Sequence, residues 1–194
     1  HLWNELRPTR ARDYLPTAAE SPWGAPGAAS LLDVSGHADE FVAFLADECL
    51  PFLERTYSTH GAKARALIGK SFGGSGVAHA MIDSKCSRLF SEFLLGSPSI
   101  AWDDGSFFRL EEEARARAAA SGDIGSPPYN AAVYCCVGGE EKSESVLRLK
   151  EVLDSRPQTE AGAGYPPVTV EIVEGETHGS VSYPFVHRAL DFVK

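Results

Sequence analysis

The chain is short of positive charge, of paired cysteines and of long apolar runs. Its 194 residues carry 18 Lys and Arg against 27 Asp and Glu, a formal net charge of −9. Without a long basic block it lacks the electrostatic footprint needed for a nucleic-acid backbone or an anionic membrane surface. No apolar run approaches the roughly 20 residues that span a bilayer, and no signal-peptide pattern of charge, apolar run and small cleavage site is present. The expectation is a soluble protein, with the cytoplasm favoured. The first residue is His1 rather than Met, which leaves room for a removed or preceding targeting segment. Cys49, Cys86, Cys135 and Cys136 form no CxxC pair, and the six histidines have no close ligand spacing, so no metal site is expected. Cys135 and Cys136, in AAVYCCV, read as buried thiols on opposite faces of a strand.

What is present fits one globular domain: 43% hydrophobic and 23% charged residues, with 18 Gly and 12 Pro. β-prone apolar runs alternate with amphipathic patterns, the signature of an α/β fold with a mainly parallel sheet covered by helices. Residues 1–36, interrupted by Pro8, Pro16, Pro22 and Pro26, read as a long surface loop. Phe41, Phe44, Leu45, Cys49, Phe52 and Leu53 predict a helix over 37–57, kinked or interrupted at Pro51. Strands are expected at 65–68, 92–95, 131–137 and 168–173. Between them lie a small-residue helix to about 83, an exposed helix over 107–120 and a helix marked by Leu147, Leu149, Val152 and Leu153. A last helix over 183–193 has Phe185, Val186, Ala189, Leu190 and Val193 on one stripe.

Gly69-Lys70-Ser71-Phe72-Gly73 is a GxSxG string placed where a strand ends and a helix begins, the context a nucleophile elbow requires. The serine there sits in a tight, strained turn, and the small residues two before and two after it let strand and helix approach. The helix N-terminus then aims N–H groups, Phe72 N–H among them, at a developing oxyanion. A phosphate-holding loop is the bland alternative. A Walker-type loop, however, needs a glycine where Ala64 stands.

A serine hydroxyl needs a neutral imidazole to take its proton, and the imidazole needs a carboxylate to fix its tautomer. His178, in Gly-Glu-Thr-His-Gly beyond the fourth strand, is the one histidine after Ser71 in a strand-end loop; His79 and His187 fall on helices, in packing or surface roles. The third strand ends in Gly-Gly-Glu-Glu, which makes Glu141 the first choice of acid and Glu140 the second, with Asp103 and Asp104 a further option. The chemistry is that of a serine esterase with no cofactor. Acyl esters, siderophore-type lactones, thioesters and small peptides all suit it.

With these loops, Arg-Ala-Arg-Asp-Tyr-Leu-Pro-Thr (10–17), Cys-Leu-Pro-Phe-Leu-Glu (49–54), Ser-Pro-Ser (97–99) and Trp-Asp-Asp-Gly (102–105), the chain resembles the "Putative esterase" family of α/β hydrolases, which includes esterase D and enterochelin-esterase-like enzymes. The resemblance implies an α/β-hydrolase fold, Ser71 as nucleophile, His178 as general base and acid, Glu141 as its partner, and Trp102 as a substrate contact near the mouth. Lys70 stands where the family often has histidine, with its side chain expected to point away from the nucleophile. In the family about four strands precede the Arg-x-Arg-Asp stretch, and one of their loops supplies the second oxyanion donor. Residues 1–194 are therefore expected to be the C-terminal portion of a single domain, with an open sheet edge that pairs with an N-terminal segment or another chain. A catalytically silent hydrolase-like module, acting as a binding or structural subunit, is the alternative.

Overall fold

A computed structural model describes residues 2–23, 29–57, 65–83, 85–121, 131–156 and 167–193. Helices α1 (Leu2–Tyr14), α2 (Ala38–Phe44) and α3 (Leu50–Thr56) precede the sheet. Strand β1 (Ala66–Lys70) runs into α4 (Phe72–Ile82); β2 (Glu92–Gly96), α5 (Ser106–Ser121), β3 (Ala132–Gly138), α6 (Glu144–Asp154), β4 (Thr169–Val173) and α7 (Ser182–Phe192) follow. All four strands are parallel, in the order β1-β2-β3-β4. Every connection between them is thus a crossover through a helix.

The two central strands are buried on both faces, as a helix-covered parallel sheet demands. Phe93 and Leu95 of β2 and Val133 and Cys135 of β3 join α4, α5 and α6 in the larger core. Leu94, Tyr134 and Cys136 point the other way, to Phe185 and Ala189 of α7. The adjacent cysteines therefore do face opposite sides. Val186 and Leu190, expected on the buried stripe of the last helix, are exposed instead, so α7 packs through a narrower strip.

Three other expectations need correction. Residues 2–14 are helical despite Pro8, because Ala11 and Leu15 are fully buried and Tyr14 lies against α4, where Gly76 has room for no bulky side chain. Tertiary burial outweighs the missing proline N–H. The stretch after α1 is not purely superficial either, since Leu31 packs with Ala11, Leu15, Phe72 and Trp102. The helix over 107–120 buries one face, with Glu111 and Ala114 covered. At Pro51 the helix continues: a π turn over Leu45–Cys49 precedes α3, which holds Pro51 in its first turn.

Strand β1 lies at an edge of the described sheet, with Ile68 exposed. A groove of about 400 Å³ runs beside it, lined in part by Phe41, Leu45, Leu67, Ile68 and Val77. Among the described residues no helix is long and apolar enough to cross a membrane.

Candidate active site

Ser71 is the hinge between β1 and α4, at φ 59 and ψ −124, a conformation non-glycine residues rarely hold. Three contacts fix it there: its N–H donates to Gly96 O (2.9 Å), and its carbonyl accepts from Ser75 N–H (3.1 Å) and Ser99 N–H (3.3 Å). Tight packing supports the turn. A Cβ on Gly69 would lie 2.2 Å from Gly73 O, and one on Gly74 would lie 2.9 Å from Pro98 Cα. The second glycine of the string is different: a Cβ on Gly73 meets nothing within 4 Å among the described residues. The close approach behind Ser71 thus needs Gly69 and Gly74, and only half of the spacing rule holds as expected.

The loop after β4 carries His178 back across the C-terminal edge of the sheet. Its Nε2 lies 3.1 Å from Ser71 Oγ, and its Nδ1 lies 2.6 Å from Glu141 Oε2. A carboxylate only accepts, so Nδ1 bears the proton and Nε2 is free to accept from the Ser71 hydroxyl. Glu141 itself is held from two more directions, by Ser97 Oγ–H (2.6 Å) and Gly138 N–H (2.8 Å), both to Oε1. Burial would raise its pKa, but the bonds from Ser97, His178 and Gly138 outweigh that and hold the carboxyl below its ordinary range. The imidazole is half exposed while the Glu141 side chain is 13% exposed. A sheltered, ionised carboxylate, an oriented ring and a strained serine make a relay able to move one proton off a hydroxyl.

Glu140, beside it, is exposed and uses its N–H on Glu176 O (3.0 Å). Asp103 and Asp104 sit in a turn at φ 48 and 51, apart from this cluster. His79 pairs with Asp39 at 2.6 Å, and His187 lies 3.5 Å from Asp191 on the surface of α7. Phe72 is the first residue of α4, so its N–H belongs to the unsatisfied donors of that helix end. A cavity of about 720 Å³ opens over the cluster, lined by Ser71, His178, Glu141, Arg7 and Trp23 among others.

Trp102 is not in that lining. It is 1% exposed, donates Nε1–H to Thr17 O (3.1 Å) and lies between Phe72 and Trp23. The exposed ring at the cavity is Trp23. Two residues that the sequence reading left without a role also enter here. Ser97 leaves β2 at φ 38 and aims its hydroxyl at Glu141. Lys70 sends Nζ to the backbone carbonyl of His178 at 2.5 Å. Its side chain does avoid Ser71 Oγ, but it ends on the neighbouring loop. Burial lowers the Lys70 pKa, with Glu141 opposing and Arg10 adding to the shift. The Ser-Pro-Ser motif was the one available signal for Ser97; for Lys70 the sequence offered only its departure from the histidine the family often has there.

Residues 16–164 match the family model described as "Putative esterase", more than half of the chain. A siderophore enterobactin esterase of Emericella nidulans is 35% identical over 94 residues, covering 48% of this chain and 28% of that protein. Among solved structures, the siderophore hydrolase EstA from Aspergillus nidulans superposes with a TM-score of 0.72 at 23% identity, over 96% of this chain and 66% of the other. The BES protein from Bacillus cereus gives 0.66 at 22% identity, over 97% and 64%. The chain spans less than two thirds of the length of these relatives. With an α/β-hydrolase fold and a matching family model over most of its length, the chain belongs to the "Putative esterase" family.

Proposed function

We propose that the protein hydrolyses carboxylic esters through an acyl-enzyme on Ser71. The observation that carries this reading is the unbroken relay Ser71 Oγ, His178, Glu141, at 3.1 and 2.6 Å, on the floor of a cavity large enough for a small-molecule ester. His178 Nε2 takes the hydroxyl proton as Ser71 Oγ bonds to the ester carbon. The oxyanion forms opposite the start of α4, where Phe72 N–H, one of the unsatisfied donors of that helix end, serves as donor. Collapse of that intermediate expels the alcohol, which receives the proton from His178. Water repeats the sequence and releases the acid and Ser71. Glu141 keeps the ring in the productive tautomer and stabilises its transient charge.

The siderophore enterobactin esterase and the siderophore hydrolase among the relatives support a lactone or acyl ester linkage as substrate. The exposed edge at Ile68 supports a further reading, that a segment preceding residue 1 or a separate chain extends the sheet beyond β1. Such an extension would bring the second oxyanion donor. The test is turnover of p-nitrophenyl acetate together with labelling by a fluorophosphonate. Labelling and turnover by wild type, both lost in Ser71→Ala, are the expected result. A folded wild type that does neither would instead make the chain a silent module that binds without reacting.

A further inference from the structure

The loop that carries His178 is poorly anchored for the task it is given. It leaves β4 and must reach Ser71 at the end of β1, with β2 and β3 lying between them. From Glu174 to Ser180 its residues are exposed, apart from a half-buried Glu176. Much of its bonding is internal: Glu176 N–H to Val173 O, Val181 N–H to Thr177 O, and Thr177 with Ser180. On the β3 side, Glu140 N–H holds Glu176 O and Glu141 holds the imidazole. On the β1 side, the backbone beside the ring is gripped by Lys70 Nζ, at the carbonyl of His178 itself.

We propose that Lys70 is a positioning residue: from the end of β1 it clamps the His178 backbone so that the imidazole stays within reach of Ser71 Oγ. This rests on the hydrolase reading of Ser71 and His178 given above. The clamp is built from both ends. Lys70 is fixed as the last residue of β1, paired in register with Gly96 of β2, and its carbonyl accepts from Arg10 Nη2 at 3.4 Å. Its side chain is half-buried, and a bond from the ammonium to a carbonyl both satisfies one of its donors and orders the acceptor. Because the acceptor is a backbone atom of the same residue, any slackening there passes directly to the ring. The contact joins two residues 108 positions apart, one immediately before the nucleophile and the other the base.

The test compares Lys70→Met, Lys70→Gln and Lys70→Arg with wild type and Ser71→Ala, measuring kcat, KM, the rate of fluorophosphonate labelling and the thermal midpoint. Lys70→Met is expected to lower kcat and the labelling rate by about tenfold, the size of one charge-assisted hydrogen bond, with KM unchanged. Lys70→Arg, which keeps a charged donor, should recover most of the loss, and Lys70→Gln should fall between. Midpoints should stay together. Wild-type kinetics in Lys70→Met, a loss confined to KM, or an arginine variant as slow as the methionine one would overturn the positioning role while leaving Ser71 as nucleophile. Should Lys70→Met fail to fold, Lys70→Gln against Lys70→Arg decides the same point. A wild type without Ser71-dependent labelling or turnover overturns the hydrolase reading first, and this one with it.

Discussion

Replacing Ser97 with alanine removes one hydrogen bond from Glu141 and touches neither Ser71 nor His178. The backbone at 97 stays the same problem for either residue, with φ 38 and its N–H on Cys136 O (2.7 Å), so the strain is common to both. What disappears is the hydroxyl bond to Glu141 Oε1 at 2.6 Å. Glu141 is sheltered, so water replaces that donor poorly; a bond to a charged group in such a place contributes about 2 kcal/mol, or roughly 4–8 °C in the midpoint of a domain this size. The pH dependence has a definite sign. The folded Glu141 carboxyl is held below its ordinary range, with burial acting upward and the bonds from Ser97, His178 and Gly138 overcoming it. Its contribution is therefore complete above the unfolded carboxylate value of about 4.3 and disappears as pH falls through the folded value. Scanning fluorimetry of both proteins from pH 7 downward should show a full gap near neutrality that narrows below about pH 4. Turnover of p-nitrophenyl acetate at neutral pH should drop about tenfold as the ring loses a firmly held partner. Equal midpoints at pH 7, or a gap indifferent to pH, would refute the reasoning.

Three further outcomes follow from the same structure. Gly69→Ala forces a Cβ against Gly73 O and Val77 and should cost about 3 kcal/mol in urea unfolding, whereas Gly73→Ala should stay within about 0.5 kcal/mol. Glu111 is fully buried with Arg156 Nη2 at 3.5 Å and Arg115 Nε at 3.9 Å, and burial raises its pKa against both. Arg156→Met should therefore destabilise by about 3 kcal/mol at pH 7. That loss should shrink at pH 5, because a raised carboxyl favours the folded state as it protonates. Burial pushes the Cys86 thiol up to about 12 and those of Cys135 and Cys136 upward as well, so Ellman titration of the native protein should find Cys49 alone, and all four thiols only in denaturant.

The elbow was legible because its constraint is local: Gly69 and Ser71 are two residues apart, and the strand-to-helix change surrounds them. His178 was legible by elimination, since the other histidines after Ser71 fall on helices. The choice between Glu140 and Glu141 was not fixed by pattern, because adjacent carboxylates on one loop differ only in which way the backbone turns them; the bond from Gly138 N–H settles where Glu141 points. Ser97 and Lys70 act through partners 44 and 108 residues away, and that pairing exists only once the strands are in register. Helix α1 escaped for a related reason. Pro8 argues locally against a helix, while the burial of Ala11 and Leu15 that overrides it comes from elsewhere in the chain. Trp102 was placed one layer too far out: it supports the exposed ring of Trp23 rather than lining the cavity.

That Ser71 becomes acylated is open to direct observation. Acid quenching during the first turnover of an activated ester, then mapping of the peptides by mass spectrometry, locates the acyl group. It should appear on the peptide containing Ser71 in near-stoichiometric yield, and not in Ser71→Ala. Turnover with no acylated peptide, or with the acyl group on another residue, would contradict the account.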